Sequence, residues 1–284
     1  MVAMVSPVDW ISAVWRSALS QVNLKTIVVL YILLNMKSLH FMWHVRFIKI
    51  LIRRMTDPAD KHLSPRCLFL PAISSTRSPL LECDYNIHKS NSTYFSDLDM
   101  SRGHLTLVLF RKLFNPIPGP NKRIAVLSGV QCVYRKEIKP YEPYEIWTRV
   151  LTWDDKWLYV VSHFVEKGRY AHKEYVMQPG SRPPKRRRNL QPKAPPKTVY
   201  ASCISRYVFK HVRKTLPPED VLRECGLLPE EGSSEGAMSL EEIEAVRQKC
   251  LPIAKLEDGW DAVHELFDGD ETAALGRYTD LFWK

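Results

Sequence analysis

Between Ile124 and Phe209 the chain carries four runs of alternating apolar and polar residues, and these limit its fold more than anything else in it. Ile124 to Ile138 contains Val126, Val130, Cys132 and Tyr134. Tyr144 to Trp153 sets Tyr144, Ile146, Thr148 and Val150 against Glu145, Trp147, Arg149 and Leu151. Asp154-Asp155 turns the chain into Lys156 to Glu166, with Trp157, Tyr159, Val161 and Val165. Val199 to Phe209 carries Ala201, Cys203, Tyr207 and Phe209. A period of two marks half-buried antiparallel strands. Ahead of the runs lies one helical pattern, Asn91 to Leu113, with Tyr94, Leu98, Arg102, Leu105 and Leu109 in step. Asn115-Pro116-Ile117-Pro118-Gly119-Pro120-Asn121 ends it. One helix followed by a meander of long strands predicts an α+β class, a curved antiparallel sheet around a central helix. A generic α+β sandwich is permitted by the same strings.

The groups able to do chemistry stand just before that helix, in Cys83-Asp84-Tyr85-Asn86-Ile87-His88-Lys89-Ser90-Asn91-Ser92-Thr93-Tyr94. Asp84, Asn86 and His88 recur at every second residue. An extended strand would turn all three to one face and leave Tyr85 and Ile87 behind to anchor it. Ser90 and Asn91 are N-cap types, so the unsatisfied N–H groups of a helix start would lie beside an acid and an imidazole. A plainer reading fits the same residues: an Asx-turn at Asp84, a solvated His88 and an ordinary cap at Asn91.

The pattern Asp84-x-Asn86-x-His88-x-x-Asn91-x-x-Tyr94 resembles the signature of hotdog-fold acyl thioesterases. It is close to the Asp-x-Asn-x-His-Val-Asn-Asn-x-x-Tyr of plant acyl-carrier-protein thioesterases, with Ser90 where the family usually has Asn. The stretches from Val150 to Tyr159 and His163-Phe164-Val165 resemble the matching segment of the membrane-associated thioesterase superfamily member 6 family. The resemblance runs from about Pro65 to Lys210. It implies a hotdog fold, an acyl-CoA substrate, a homodimer and no cofactor or metal. Asp84 is then the expected base or nucleophile, with His88 orienting water or donating to the carbonyl and Asn86 holding Asp84 or the water. The helix start at Asn91, Ser92, Thr93 and Tyr94 would offer N–H donors to the oxyanion. Glu137, Glu142 and Glu145 are the next carboxylates to consider.

Other classes find less support. No G-x-S-x-G, P-loop, G-x-G-x-x-G or H-E-x-x-H occurs. A hotdog hydratase would space its Asp and His one residue further apart than Asp84 and His88. A non-catalytic acyl-binding protein of the same fold stays open, since the polar cluster serves recognition equally well.

Outside this region the sequence reads as appendages. Thr26 to Met36 is an uncharged apolar block, shorter than the ~20 residues of a full span. A cationic flank follows it: Arg46, Lys49, Arg53 and Arg54. Residues 1–56 are therefore expected to attach the chain to a membrane, with the catalytic part on the cytosolic side. An endoplasmic reticulum and a mitochondrial surface fit equally. Lys37, His40 and His44 fall nearly opposite Arg46, Lys49 and Arg53 on a helical wheel, so no single clean amphipathic helix is expected. A helix so cationic is not expected to be buried.

Residues 57–215 form the expected catalytic domain, interrupted at 178–197 by a proline-rich insertion with Lys185-Arg186-Arg187-Arg188. That run lacks interleaved aromatics, so no nucleic-acid partner is expected. Residues 216–284 are expected to form a C-terminal helical extension, with a capping box at Ser239-Leu240-Glu241-Glu242. The formal charge of +10 suits an anionic partner, lipid or coenzyme A, though much of it lies in the flank and the insertion. Six cysteines without a C-x-x-C pair are expected to be reduced thiols.

Overall fold

Alternation of β-branched and aromatic residues against small polar ones builds the centre of the molecule. A computed structural model describes residues 23–56, 63–113, 123–170, 172–178, 199–229, 238–267, 269 and 273–280. In chain order the elements are α1 (Leu24–Leu34), α2 (Met42–Thr56), β1 (Ala72–Arg77), α3 (Thr93–Leu109), β2 (Arg123–Tyr134), β3 (Pro143–Trp153), β4 (Leu158–Glu166) and β5 (Glu174–Tyr175). They continue with β6 (Val199–His211), β7 (Lys214–Leu216), α4 (Pro218–Glu224), α5 (Leu240–Ala254), α6 (Gly259–Glu265), β8 (Ala273–Ala274) and β9 (Gly276–Thr279). The main sheet runs β2-β6-β4-β3-β1-β9, with β7 folded back on β6. Every pairing in it is antiparallel except that of β1 with β9.

Helix α3 lies across one face of this sheet, as the hotdog reading expects. Tyr94, Leu98, Leu105 and Leu109 are buried against Ile146, Val150, Val160, Phe164 and Phe209. Burying a large apolar side chain contributes roughly 1.5–3 kcal/mol, so this seam holds helix and sheet together. A polar rung crosses it: Ser101 meets Thr148 at 2.7 Å, and Thr148 meets Ser162 at 2.8 Å. Every hydroxyl in the rung is bonded, as buried polar groups must be. The helix is shorter than the expected Asn91 to Leu113. Ser92 is its N-cap and Phe110 its C-cap, and the tail closes as a turn with Leu113 donating to the Phe110 carbonyl.

The alternation in β3 sorts as read. Tyr144, Ile146, Thr148 and Val150 face α3, while Trp147 and Leu151 pack on the other side. A bulge between Val150 and Thr152 then shifts the alternation by one residue and sends Trp153 to the helix side. The second face is not solvated. Residues of α5 and α6, among them Cys250, Ala254 and Val263, cover Leu151, Tyr159, Val161 and Ile204.

Two sequence expectations change here. The region after residue 216 is helical only in part: β9 runs back to join β1 in parallel, pairing Ala72 with Gly276. Cys132 and Cys203, expected as free thiols, face each other across β2 and β6 as a disulfide. Of the insertion 178–197 only Gln178 falls among the described residues, and the proline-rich stretch Asn115–Asn121 lies outside them.

Helix α2 also overturns an expectation. Its cations turn toward the domain: Arg46 is buried between Asp97 and Asp280, Arg53 lies over the Tyr278 ring, and Arg54 donates to the Arg111 carbonyl. Paired carboxylates on α3 and after β9 make this possible, since a buried charge is tolerated when it is paired and hydrogen-bonded.

Candidate active site

A short one-turn helix at Leu80–Glu82 leads from β1 toward α3, and between it and α3 lies the motif. It is a tight turn, not the strand that the spacing suggested. Cys83 and Lys89 pair as an isolated antiparallel bridge, and the Asp84 amide donates to the His88 carbonyl at 3.0 Å. Asp84 Oδ1 accepts the Asn86 amide at 3.0 Å, an Asx-turn, and the Ile87 amide donates to the Asp84 carbonyl. Ile87 takes the left-handed conformation (φ 61°), which a β-branched residue adopts at a cost. Tyr85 and Ile87 therefore do not anchor anything: they project into solvent, with Tyr85 92% exposed. The plainer reading of Asp84 thus describes the backbone correctly.

The turn nevertheless brings acid and imidazole together by another route. Asp84 Oδ2 lies 3.6 Å from His88 Nδ1, both side chains being about a quarter exposed. One carboxylate oxygen fastens the turn and the other faces the ring. Asn86 sits at the exposed tip and contributes its amide to Asp84. Asn91 and Ser92 are exposed beside the helix start. The Thr93 hydroxyl is spent on the carbonyls of Ser90 (2.7 Å) and Glu82 (3.3 Å), and the Tyr94 ring is buried against Phe164 and Tyr134. Thr93 and Tyr94 thus offer backbone groups only, and the Thr93 amide itself is taken by the Ser90 carbonyl.

Of the reserve carboxylates, Glu145 faces away from α3 and pairs with Arg277. Burial raises its carboxyl above the usual range, while Arg277 acts against that. Glu142 accepts from the Tyr200 hydroxyl at 2.8 Å and from the Lys139 amide at 3.0 Å. Glu137 is exposed.

Behind the turn lies an ionic cluster that the sequence reading missed. Asp97, one turn into α3, is buried and receives Lys37 at 2.8 Å, Arg46 at 2.8 Å and Lys89 at 2.9 Å. Glu82 takes the same two lysines, Lys37 at 3.0 Å and Lys89 at 2.8 Å. Arg46 passes on to Asp280, which also accepts the Thr76 hydroxyl at 2.8 Å. Lys37, Arg46 and Lys89 thus balance Glu82, Asp97 and Asp280. Burial alone would raise the Asp97 carboxyl, but Lys37, Lys89 and Arg46 hold it well below its ordinary value. The Tyr144 hydroxyl donates to Asp97, and burial together with that carboxylate pushes the phenol well above its usual value. Glu82 and Lys89 flank the motif on either side, so the cluster fixes both ends of the turn. Its signal in the sequence was a carboxylate at position 97, on the core face shared by Tyr94, Leu98 and Ser101.

Exposed cations border the turn. The Lys89 amide donates to the Ile138 carbonyl at 2.8 Å, which brings the segment with Arg135, Lys136 and Lys139 alongside.

The thioesterase-like superfamily matches this chain over residues 79–224. The probable thioesterase atnL of Emericella nidulans is 37% identical, over 89% of this chain and 91% of its own. Thioesterase poxG of Penicillium oxalicum is also 37% identical, over 89% and 90% of the two chains. Protein THEM6 of Xenopus laevis matches at 34% over 30% of this chain and 39% of its own. Lys37, Arg46 and Asp280, half of the buried cluster, lie outside the matched residues.

Proposed function

Because this chain belongs to the thioesterase-like superfamily and is a thioester hydrolase by that membership, we propose that it hydrolyses a fatty acyl-CoA to the free acid and CoA at the Asp84–His88 turn. The observation that carries this is the carboxylate and imidazole 3.6 Å apart, on a turn that runs directly into the start of α3. A thioester carbonyl is electrophilic and a thiolate leaves readily, so the protein needs only an activated water or a carboxylate nucleophile and donors for the oxyanion. Asp84 takes the water proton as the carbon–oxygen bond forms, and the thiolate leaves as the carbon–sulfur bond breaks. His88 orients the water or donates to the carbonyl, and Asn86, whose backbone amide holds Asp84, is assigned to holding the water. The dipole of α3 favours the developing negative charge near Asn91, Ser92, Thr93 and Tyr94. Arg135, Lys136 and Lys139 suit the phosphates of CoA. The full-length chain is expected to release free CoA thiol from a panel of acyl-CoA chain lengths, read with a thiol reagent. Saturable binding with no thiol released would make it an acyl-binding protein instead.

The partner is a second copy. Among the described residues β2 is an edge strand with Ile124, Val126 and Leu127 exposed along it, a row of backbone groups ready to pair. Two β2 strands pairing across a dimer would continue the sheet and bring a second turn near the first. Light scattering is expected to give a dimer mass, and Val126→Lys with Leu127→Lys to give a monomer. A wild-type monomer at high concentration would remove this reading.

The N-terminal segment attaches the chain to a membrane. No helix among the described residues is long and apolar enough to cross one. The intact protein is expected to float with phospholipid vesicles, and recovery of all of it in the aqueous fraction would count against attachment.

A further inference from the structure

Helix α1 has no buried residue, although it is Leu-Lys-Thr-Ile-Val-Val-Leu-Tyr-Ile-Leu-Leu. Leu24 to Leu34 span about 16 Å at 1.5 Å per residue, and the apolar side chains surround the axis. Helix α2 is inside out. With Arg46, Arg53 and Arg54 turned inward, its outer face carries Val45, Ile48, Leu51, Ile52 and Met55, preceded by Phe41, and all are exposed. Rolling α2 to hide this face would leave Asp97 and Asp280 buried without Arg46, so the apolar stripe is locked outward.

The same surface reaches the motif. The Leu81 amide donates to Asn35 Oδ1 at 2.9 Å, fixing the end of α1 beside the turn, and Lys37 pairs with Glu82 one residue further on. From there Leu80, Leu81, Tyr85 and Ile87 stand exposed in succession. A strained backbone at Ile87 that displays an isobutyl-sized apolar group to water is a cost that a lipid contact would offset.

We propose that α1, the outer face of α2 and the tip of the motif turn form one surface that inserts into one leaflet of a bilayer, α1 among the acyl chains, so that the Asp84–His88 turn opens at the lipid surface and takes acyl-CoA partitioned there. This rests on the reading of that turn as the active centre, and it goes beyond attachment by the N-terminal segment alone. Two observations select lipid as the occupant over a second copy of the chain. A protein partner would bury one stripe of α1, whereas acyl chains can solvate every side of it. Residues 23–56 contain no Asp or Glu to repel lipid phosphates, and Lys25 at the start of α1 is an exposed cation matched to them, while Lys49 reaches back to the Thr279 and Asp280 carbonyls.

Side-chain oxidation by hydroxyl radicals, read by mass spectrometry on the full-length chain, tests this directly. With vesicles of phosphatidylcholine and phosphatidylserine, oxidation at Tyr31, Trp43, Met55 and Tyr85 is expected to fall several-fold. Trp157 and Trp260, on the α5–α6 side, keep their rates and serve as references. Protection of Tyr31 alone, with Trp43, Met55 and Tyr85 unchanged, would mean a tethered domain and overturn the proposal. Protection at Trp43 and Met55 without vesicles, growing with protein concentration, would identify a second copy as the occupant and overturn it too.

Activity gives an independent arm. Ile48→Glu with Ile52→Glu is expected to leave hydrolysis of water-soluble butyryl-CoA intact and to lower hydrolysis of vesicle-bound palmitoyl-CoA by about tenfold or more, since two apolar contacts are lost. Equal palmitoyl-CoA turnover in wild type and variant would overturn the proposal. Absence of turnover on both substrates in the wild type would instead remove the catalytic reading, while the oxidation pattern would still report on the surface.

Discussion

Asp84→Asn is expected to lower kcat for acyl-CoA hydrolysis by roughly 10²-fold or more, the scale set by loss of one positioned acid–base group. That corresponds to about 2.7 kcal/mol of barrier. The substitution isolates chemistry from structure for a reason visible in the turn. Asp84 Oδ1 accepts the Asn86 amide, and an Asn side chain accepts the same bond, so the Asx-turn persists. What disappears is the negative charge on the oxygen that faces His88. His88→Ala is expected to cost less, because an orienting group leaves the base in place. Steady-state kinetics with both variants, checked for folding and dimer mass, decide the matter. Turnover that survives Asp84→Asn would move the base elsewhere. Glu142 and Glu137 would then be tested first, since Glu145 is held on the opposite face of the sheet by Arg277.

The second large effect is on stability. Lys37→Met is expected to cost about 3–5 kcal/mol, the range for breaking a buried ion pair from one side. Lys37 is 3% exposed, and it donates to Glu82, Asp97 and the Arg77 carbonyl. Methionine keeps the volume and leaves Glu82 and Asp97 with one cation fewer between them. Denaturant unfolding measures the difference. Lys37→Met combined with Glu82→Gln restores the charge balance, so the pair is expected to cost less than the sum of the two single changes. A loss below about 1 kcal/mol, as for exposed pairs, would show that the cluster is hydrated and does not behave as buried.

What the sequence made legible follows from locality. Alternation in β3 placed Tyr144, Ile146, Thr148 and Val150 on the helix side because strand geometry alone sends every second residue to one face. The helix was readable for the same reason, though it spans Thr93–Leu109 and not the expected Asn91 to Leu113. The Asp84–Asn86–His88 spacing predicts a strand, and the chain forms a turn there. The Asp84 side chain instead competes for the backbone, captures the Asn86 amide and bends the chain, and Ile87 completes the bend in a conformation that its type disfavours.

The facing of α2 could not be read from its own residues at all. Arg46 turns inward only because Asp97 and Asp280 wait for it, and these lie 51 and 234 residues away. The period of two predicts half-buried strands for a similar reason, since the cover of the second face comes from α5 and α6 far downstream. Asp97 was the one distant feature with a local sign, a carboxylate among core-facing positions of a helix.

The junction of Arg46 with Asp280 sets an order on folding. A contact that closes 234 residues costs chain entropy before it returns any stability, and it needs Asp280 to have been made. The pairing of β1 with β9, Ala72 with Gly276, waits likewise for Gly276. During synthesis α2 therefore emerges long before Asp280, one of the two carboxylates that neutralise Arg46. For that interval the segment carries its cations and its apolar stripe without that inward partner. It has time to meet a bilayer before Arg46 takes Asp280.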